Sequence, residues 1–322
     1  MRVFVYEFVT GGGMHSLPLP AGLVREADLM VRALISDLLL LPDIQVVTCR
    51  DTRLPPIAGC EPAPSNSFAG GVEVAEAVWP IAPESGGTLE SLVRHTLAAG
   101  RILLGCRPDA VRLTSSKSAT AALLRGAGIP VVPTWRSVPE SPPASGPWVV
   151  KPDDGAGCED TWLETDWSAV RLRLGSDPSR LVAQPWIEGT ALSLSLLCGE
   201  GRAATLAINR QQIEVRERRL ELAGLEVNAV ADATGRFAAL GRALARALPS
   251  LWGYVGVDLV ETSDGLVVME INPRLTTAYC GLRRALGVNV AAMVLSLLTS
   301  MPVPSLPVAG SGHAVPIGLG AP

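Results

Sequence analysis

The run GYVGVDLVETSDGLVVMEINPR, residues 253–274, constrains the fold more than any other stretch. Two β-rich segments, 254–261 and 266–271, flank the turn sequence TSDG, so they read as an antiparallel hairpin. Side chains alternate along a strand, which puts Glu270 and Asn272 on one face. With the turn centred near Asp264, Asp258 falls opposite Glu270. Three oxygen-bearing side chains then converge on one face of an otherwise apolar hairpin. Carboxylate and amide oxygens suit Mg²⁺ bridging phosphates. Without a cation, two buried carboxylates side by side repel, and one holds a proton. An exposed face carrying ordinary charges is the competing reading, which the apolar neighbours disfavour. Arg274 follows directly. It offers charge to a transferring phosphoryl group, or a plain ion pair to a neighbouring carboxylate.

Lysine usage points to a second site. Of 27 basic residues only two, Lys117 and Lys151, are lysines. Lys151 closes a short apolar strand, 149–151, and precedes a loop containing Gly155 and Gly157. Glycines let backbone N–H groups approach phosphate oxygens, and a lysine beside them supplies a compact charge that a planar guanidinium does not reproduce. A tight turn with an incidental lysine is the alternative. The spacing is not that of a Walker P-loop. Lys117 sits in the first turn of an expected helix, 116–127. The segment Gln184-Pro-Trp186-Ile187-Glu188-Gly189 is an apolar strand end with a polar entry. It suits backbone recognition of an adenine edge, and an ordinary buried strand explains it equally well.

The remaining chain organises around these segments. Strands expected at 2–9, 44–49, 72–79 and 101–106 alternate with helices at 22–41 and 88–99, which implies a parallel sheet with crossovers. Ligands then lie at the carboxyl ends of the strands, where the loop Thr10, Gly11, Gly12, Gly13 follows the first one. A Pro- and Ser-rich loop spans 139–147. Strands are expected at 181–187, 192–198 and 203–208, with helices at 236–248 and 290–298 and an extended tail at 300–322. The charge run 215–219 reads as a solvated loop or helix face. The expected fold is α/β with α+β subdomains. It divides into an N-terminal α/β unit at 1–113, a small subdomain with the Gly loop at 114–189, and a C-terminal subdomain with the candidate metal site at 190–322.

Composition narrows the partners. A formal net charge of −4 argues against a broad basic field for nucleic acid. The six cysteines, at 49, 60, 106, 158, 198 and 280, form no C-x-x-C pair, and His is scarce. Neither a zinc finger nor a disulfide framework follows, and reduced thiols in a cytoplasmic protein are expected. The segment MRVFVYEFVTGGG lacks the apolar core of a signal peptide, and no run reads as a membrane span.

Taken together, the motifs resemble the ATP-grasp superfamily. Lys117, Lys151-Pro-x-x-Gly-x-Gly157, Gln184-x-x-Ile-x-Gly189, Ser193, Ser195, Asp258 and Glu270-x-Asn-Pro-Arg274 occur in family order over 114–277. The resemblance implies an ATP-grasp fold with an N-terminal pre-grasp domain and a nucleotide cleft between two grasp subdomains. It implies that both lysines contact ATP phosphates. It also implies that Asp258, Glu270 and Asn272 hold two Mg²⁺ ions, with Mn²⁺ as a substitute, and that Arg274 and Lys151 act in catalysis. Gly155, Gly157, Gln184, Trp186, Ile187 and Glu188 become nucleotide-binding candidates. Two positions depart from the family pattern. Ser116 stands where many members have Asp, and Ala191 stands where many have a ribose-binding Glu.

The start VYEFVTGGG, the helix carrying Asp37, and Ile208-Asn209-Arg210-Gln211 are similar to a subgroup that includes tyramine–glutamate ligases of methanofuran-type biosynthesis. The implied reaction joins a small-molecule carboxylate to an amine through an acyl phosphate, the pair being glutamate with tyramine or tyrosine. Glu7, Thr10, Gly11, Gly12, Asn209 and Arg210 are the expected substrate contacts, although Glu7 is as well explained by local pairing. The alternatives are another amino-acid, dipeptide or glutamate-chain ligase, and a non-catalytic nucleotide-binding subunit. A homo-oligomer remains open, and 209–224 is a candidate lid.

Overall fold

The computed structural model describes the chain except for residues 138, 139, 144, 156, 158, 159, 300–311 and 320–322. Its first part runs β1 (Arg2–Glu7), α1 (Ala21–Leu39), β2 (Gln45–Thr48), β3 (Glu61–Pro62), α2 (Phe68–Val74), β4 (Ala77–Ile81), α3 (Thr88–Ala98), β5 (Ile102–Leu103) and α4 (Pro108–Ser115). The strands form a parallel sheet in the order β3-β2-β1-β4-β5. Both faces are covered, so β1 and β4 read as near-continuous apolar runs rather than alternating ones. The expected strand at 72–79 is corrected. Residues 68–74 are helical, capped by Ser67, whose hydroxyl accepts from the Gly70 N–H, and the strand begins only at Ala77. Gly70 and Gly71 explain the shift. A Cβ at Gly71 would overlap the Phe4 ring, so this helix lies directly against the sheet.

The second part runs α5 (Lys117–Gly126), β6 (Trp148–Pro152), β7 (Trp162–Glu164), α6 (Trp167–Ser176), β8 (Leu181–Pro185), β9 (Thr190–Gly199), β10 (Arg202–Arg216), β11 (Arg219–Val227), α7 (Arg236–Ala247), β12 (Gly253–Thr262), β13 (Gly265–Asn272), α8 (Tyr279–Leu286), α9 (Val290–Ser296) and β14 (Val315–Gly318). These strands order as β13-β12-β9-β10-β11-β7-β6-β8, with β14 pairing to β11. The join between β11 and β7 is a single residue pair, Arg219 with Trp162. Trp148, Val150, Val170, Leu174 and Ala183 make a separate small core beneath β6 and β8. A second core under β9, β12 and β13 receives α4 and α7.

The charge run at 215–219 is exposed, as expected of a solvated segment. It is the turn of the long β10–β11 hairpin, with Glu217 and Arg218 at φ +48° and +66°, not a helix face. The tail expectation is corrected where it can be read: 315–318 form a strand against β11, while 300–311 and 320–322 fall outside the described residues. Among the described residues no single helix is long and apolar enough to cross a membrane. Helices 279–286 and 290–299 pass only as a pair bent by 98°.

Candidate functional site

Sheet register builds the site. Asn209 pairs with Ser193, Ser193 with Asp258, and Asp258 with Glu270. Directly paired residues on adjacent strands share a face, so four polar side chains form one row across β10, β9, β12 and β13. Asn272 lies two residues beyond Glu270 and faces the same way. A cavity of about 420 Å³ opens over the Ser193, Asp258 and Glu270 part of this row, and Lys117, Lys151, Gly155 and Asn272 line it too. Gln184, Trp186 and Ile187, from the end of β8 and the segment after it (the hinge between the two grasp subdomains expected from the resemblance), line it as well, and Ile213, Leu220, Leu222 and Leu225 of the β10–β11 hairpin close it from another side.

Charges converge at the lysine end. Lys117 Nζ lies 3.5 Å from Glu270 Oε1 and donates to the Gly155 carbonyl at 2.5 Å. Lys151 Nζ lies 4.0 Å from Glu270 Oε2. Asn272 Nδ2 donates to Asp258 Oδ2 at 2.9 Å, and Gln211 Nε2 donates to Oδ1 at 2.8 Å. Burial, then repulsion from Glu270, pushes the Asp258 carboxyl up to about 6, despite these two amides and the Lys151 charge. The donor set of two carboxylates and one amide fits a hard divalent cation, which would relieve that repulsion. An amide turned about its last torsion would present the Asn272 carbonyl instead of its NH₂.

Several placements were not legible in the sequence. Asp153, immediately after β6, accepts from the Ser118 N–H at 2.7 Å and from the Ser116 hydroxyl at 2.6 Å, and it pairs with Arg136. Its carbonyl accepts from the Lys117 N–H at 3.0 Å. This fastens the start of the Gly loop to the N-terminus of α5 and so sets the spacing of the two lysines. Gly157 adopts φ +63°, which L side chains rarely take. Residues 156, 158 and 159 of the loop lie outside the described residues. Gln211, which in the sequence stands out only within the short Ile208–Gln211 similarity, donates to the Asp258 carboxylate. Its signal was period-2 spacing from Asn209. Glu84, from the loop after β4, pairs with Arg274, its Oε1 and Oε2 at 3.0 Å from Nε and Nη2. Burial opposes the guanidinium charge, but Glu84, with smaller contributions from Glu26 and Glu270, holds the group above its usual value.

The expected substrate contacts are placed differently. Glu7 is buried and turned into its own loop, accepting from the Val9 and Thr10 N–H groups at 3.1 and 2.7 Å and from the Thr10 hydroxyl at 2.7 Å. Burial raises its carboxyl, with the Thr10 bonds opposing. Asn209 is fully buried, donating to Ser193 and Ser195 and accepting from the Asn228 N–H. Arg210 is exposed, 3.5 Å from Glu226. None of Glu7, Thr10, Gly11, Gly12, Asn209 or Arg210 lines the cavity, nor does Glu188. Ala191 does line it, near the hinge.

Residues 114–278 match the ATP-grasp domain model, and 44–111 match the pre-ATP-grasp domain. The chain belongs to the ATP-grasp family. Two tyramine–L-glutamate ligases are similar to this ATP-grasp chain. The one from Methanocaldococcus jannaschii is 28% identical over 203 residues, covering 63% of this chain and 57% of that protein. The one from Methanocaldococcus fervens is 27% identical over 205 residues, covering 63% and 60%. The match therefore spans less than two thirds of either relative's length. An ATP-grasp superfamily protein from Archaeoglobus fulgidus superposes with a TM-score of 0.71 at 26% identity, covering 92% of this chain and 88% of that one. An L-amino acid ligase from Bacillus licheniformis shares the fold at a TM-score of 0.60 and 16% identity, over 91% and 73% of the two chains.

Proposed function

We propose that this chain is an ATP-dependent carboxylate–amine ligase that works through an acyl phosphate, with glutamate and tyramine or tyrosine as substrates. The observation that carries this reading is the convergence of Lys117, Lys151, Asp258, Glu270 and Asn272 on one cavity end, with an apolar hinge at the other. The similarity to tyramine–glutamate ligases supports the substrate pair.

In this reading the 114–189 and 190–322 units hold ATP between them. The backbone of 184–187 meets the adenine edge, and Trp186 and Ile187 pack beside it. Lys117 and Lys151 exchange Glu270 for phosphate oxygens when nucleotide enters. Asp258, Glu270 and Asn272 would hold Mg²⁺, which supplies charge neutralisation between the phosphates. Arg274 lies at the border of the phosphate end, already desolvated and oriented by Glu84, so its charge is fixed in place before the γ-phosphoryl group moves. The carboxylate substrate attacks that group in line. The amine then displaces phosphate from the acyl carbon, leaving an amide, ADP and phosphate. The chain's part is positioning and fixed charge, which suffices for phosphoryl transfer.

The test is ADP release from purified protein with Mg·ATP, glutamate and tyramine or tyrosine, with mass spectrometry of the products. A glutamyl amide that requires every component, and a rate at least about 100-fold lower in Glu270→Ala, are expected. ADP release dependent on a different carboxylate and amine would replace the substrate pair. Nucleotide binding without turnover on any pair would overturn the ligase reading.

A further inference from the structure

Glu26 reaches the same cavity from the N-terminal unit. It projects from α1 and lies beside Thr276, Thr277 and Ala278, the segment that follows the Asn272-Pro-Arg274 turn. The buried Thr277 hydroxyl donates to Glu26 Oε1 across 251 residues of sequence, which fixes the carboxylate relative to the turn. Gly256 lets this segment lie flat on β12, because a Cβ there would overlap the Thr276 side chain.

The three carboxylates that line the cavity differ in what they already hold. Glu270 has two lysines, and Asp258 has two amide donors. Glu26 has the Thr277 hydroxyl, and it shares the charge of Arg274, whose guanidinium is paired directly with Glu84. The Thr277 hydroxyl donates its hydrogen bond to Glu26, so toward the cavity it offers only lone pairs. Arg274 lines the same stretch of wall, but its guanidinium is held by Glu84, so Glu26 and Thr277 offer acceptor oxygens and a negative charge there. One carboxylate and one hydroxyl are too few for a hard divalent cation, which takes six or more oxygens. They suit a group with several N–H donors and one positive charge.

We propose that Glu26 binds the primary ammonium of the ligase's substrate, with Thr277 as the positioning residue that orients the carboxylate. This rests on the ligase reading for its place in a reaction, but the binding itself does not. Two sources carry the group, the α-ammonium of glutamate and the ammonium of tyramine, and their chemistry at Glu26 is the same.

The experiment is calorimetric titration of Mg·ADP-loaded protein with glutamate, N-acetylglutamate, tyramine and tyrosol (the alcohol analogue of tyramine), for the parent, Glu26→Gln and Thr277→Val. In the parent, one ammonium compound binds at least about 10-fold more tightly than its uncharged counterpart, the effect of a single charged hydrogen bond. Glu26→Gln abolishes that discrimination while Mg·ADP affinity is unchanged, which also shows that the variant is folded. Thr277→Val reduces it in part. The glutamate arm or the tyramine arm identifies the source. Discrimination that survives in Glu26→Gln, or absence of binding by every ammonium compound to the parent, overturns the proposal. A fall in Mg²⁺ affinity in Glu26→Gln overturns it too, by making Glu26 a metal ligand. If the parent discriminates ammonium but no substrate pair turns over, the ligase reading fails and the ammonium site stands.

Discussion

At the scale of the residue, Asp258 is where burial, charge and ligand binding meet. Its carboxyl sits at about 6 because the fold buries it beside Glu270. A proton and a divalent cation therefore compete for the same oxygens. Below pH 6 the protonated form predominates, so apparent Mg²⁺ affinity should fall about tenfold per pH unit, and it should level off above about pH 7. Titration of Mg²⁺ into the ADP-bound protein at several pH values checks this, and Asp258→Asn should bind weakly at every pH with a flatter profile. The residues legible in the sequence were those whose neighbours are set by local geometry. Asp258, Glu270 and Asn272 follow from one hairpin, and the two lysines from their rarity and from the Gly loop. Glu26, Glu84 and Asp153 were not legible, because their partners Thr277, Arg274 and Ser118 lie 251, 190 and 35 residues away. For Glu7 the sequence left local pairing and substrate contact equally open, and its bonds to Val9 and Thr10 are the local pairing.

At the scale of the element, the β10–β11 hairpin shows how far pattern reading reaches. Its first half was legible because 203–208 is mostly apolar and its end is buried; its outer half was not, because beyond Asn209 only Ile213 and Val215 interrupt a run of polar and charged residues. Only the tertiary fold shows that Ile213, Leu220 and Leu222 line a cavity. The α2 segment failed similarly, since a glycine-containing helix lying against Phe4 leaves no helical signature in its own composition. The junction of β6 with α5 yields a prediction at this scale. Asp153 satisfies the Ser118 N–H near the helix start and two hydroxyls. Asp153→Ala should cost about 1–3 kcal/mol in urea unfolding, because it removes a cap and leaves Arg136 without its buried partner. It should weaken ATP binding as well, because the Gly loop and Lys117 lose their common anchor. Wild-type ATP affinity in a destabilised variant would show that the anchor serves stability alone.

At the scale of the whole molecule, the N-terminal unit is fixed to the C-terminal one by polar contacts as well as by a shared core. Asp37 of α1 is buried against α8 and α9. It accepts from the Tyr279 hydroxyl at 2.8 Å, lies 3.2 Å from Arg283, and its carbonyl accepts from Asn289 at 2.7 Å. Burial still leaves its carboxyl raised. Tyr279→Phe should therefore destabilise the chain by about 1–3 kcal/mol in urea unfolding, since it leaves a buried carboxylate oxygen without its hydroxyl donor. A neutral substitution would mean that water replaces the hydroxyl. The same rigid seating carries Glu84 to Arg274 and Glu26 to Thr277, so the N-terminal unit completes the cavity that the grasp subdomains open.

The central claim is that the carboxylate substrate receives the γ-phosphoryl group before the amine attacks. Glutamate labelled with ¹⁸O in its carboxyl groups, turned over with Mg·ATP and tyramine, tests it directly. An acyl phosphate transfers one carboxyl oxygen to phosphorus, so the released phosphate should carry one ¹⁸O per amide formed. Amide formed with unlabelled phosphate would contradict the account.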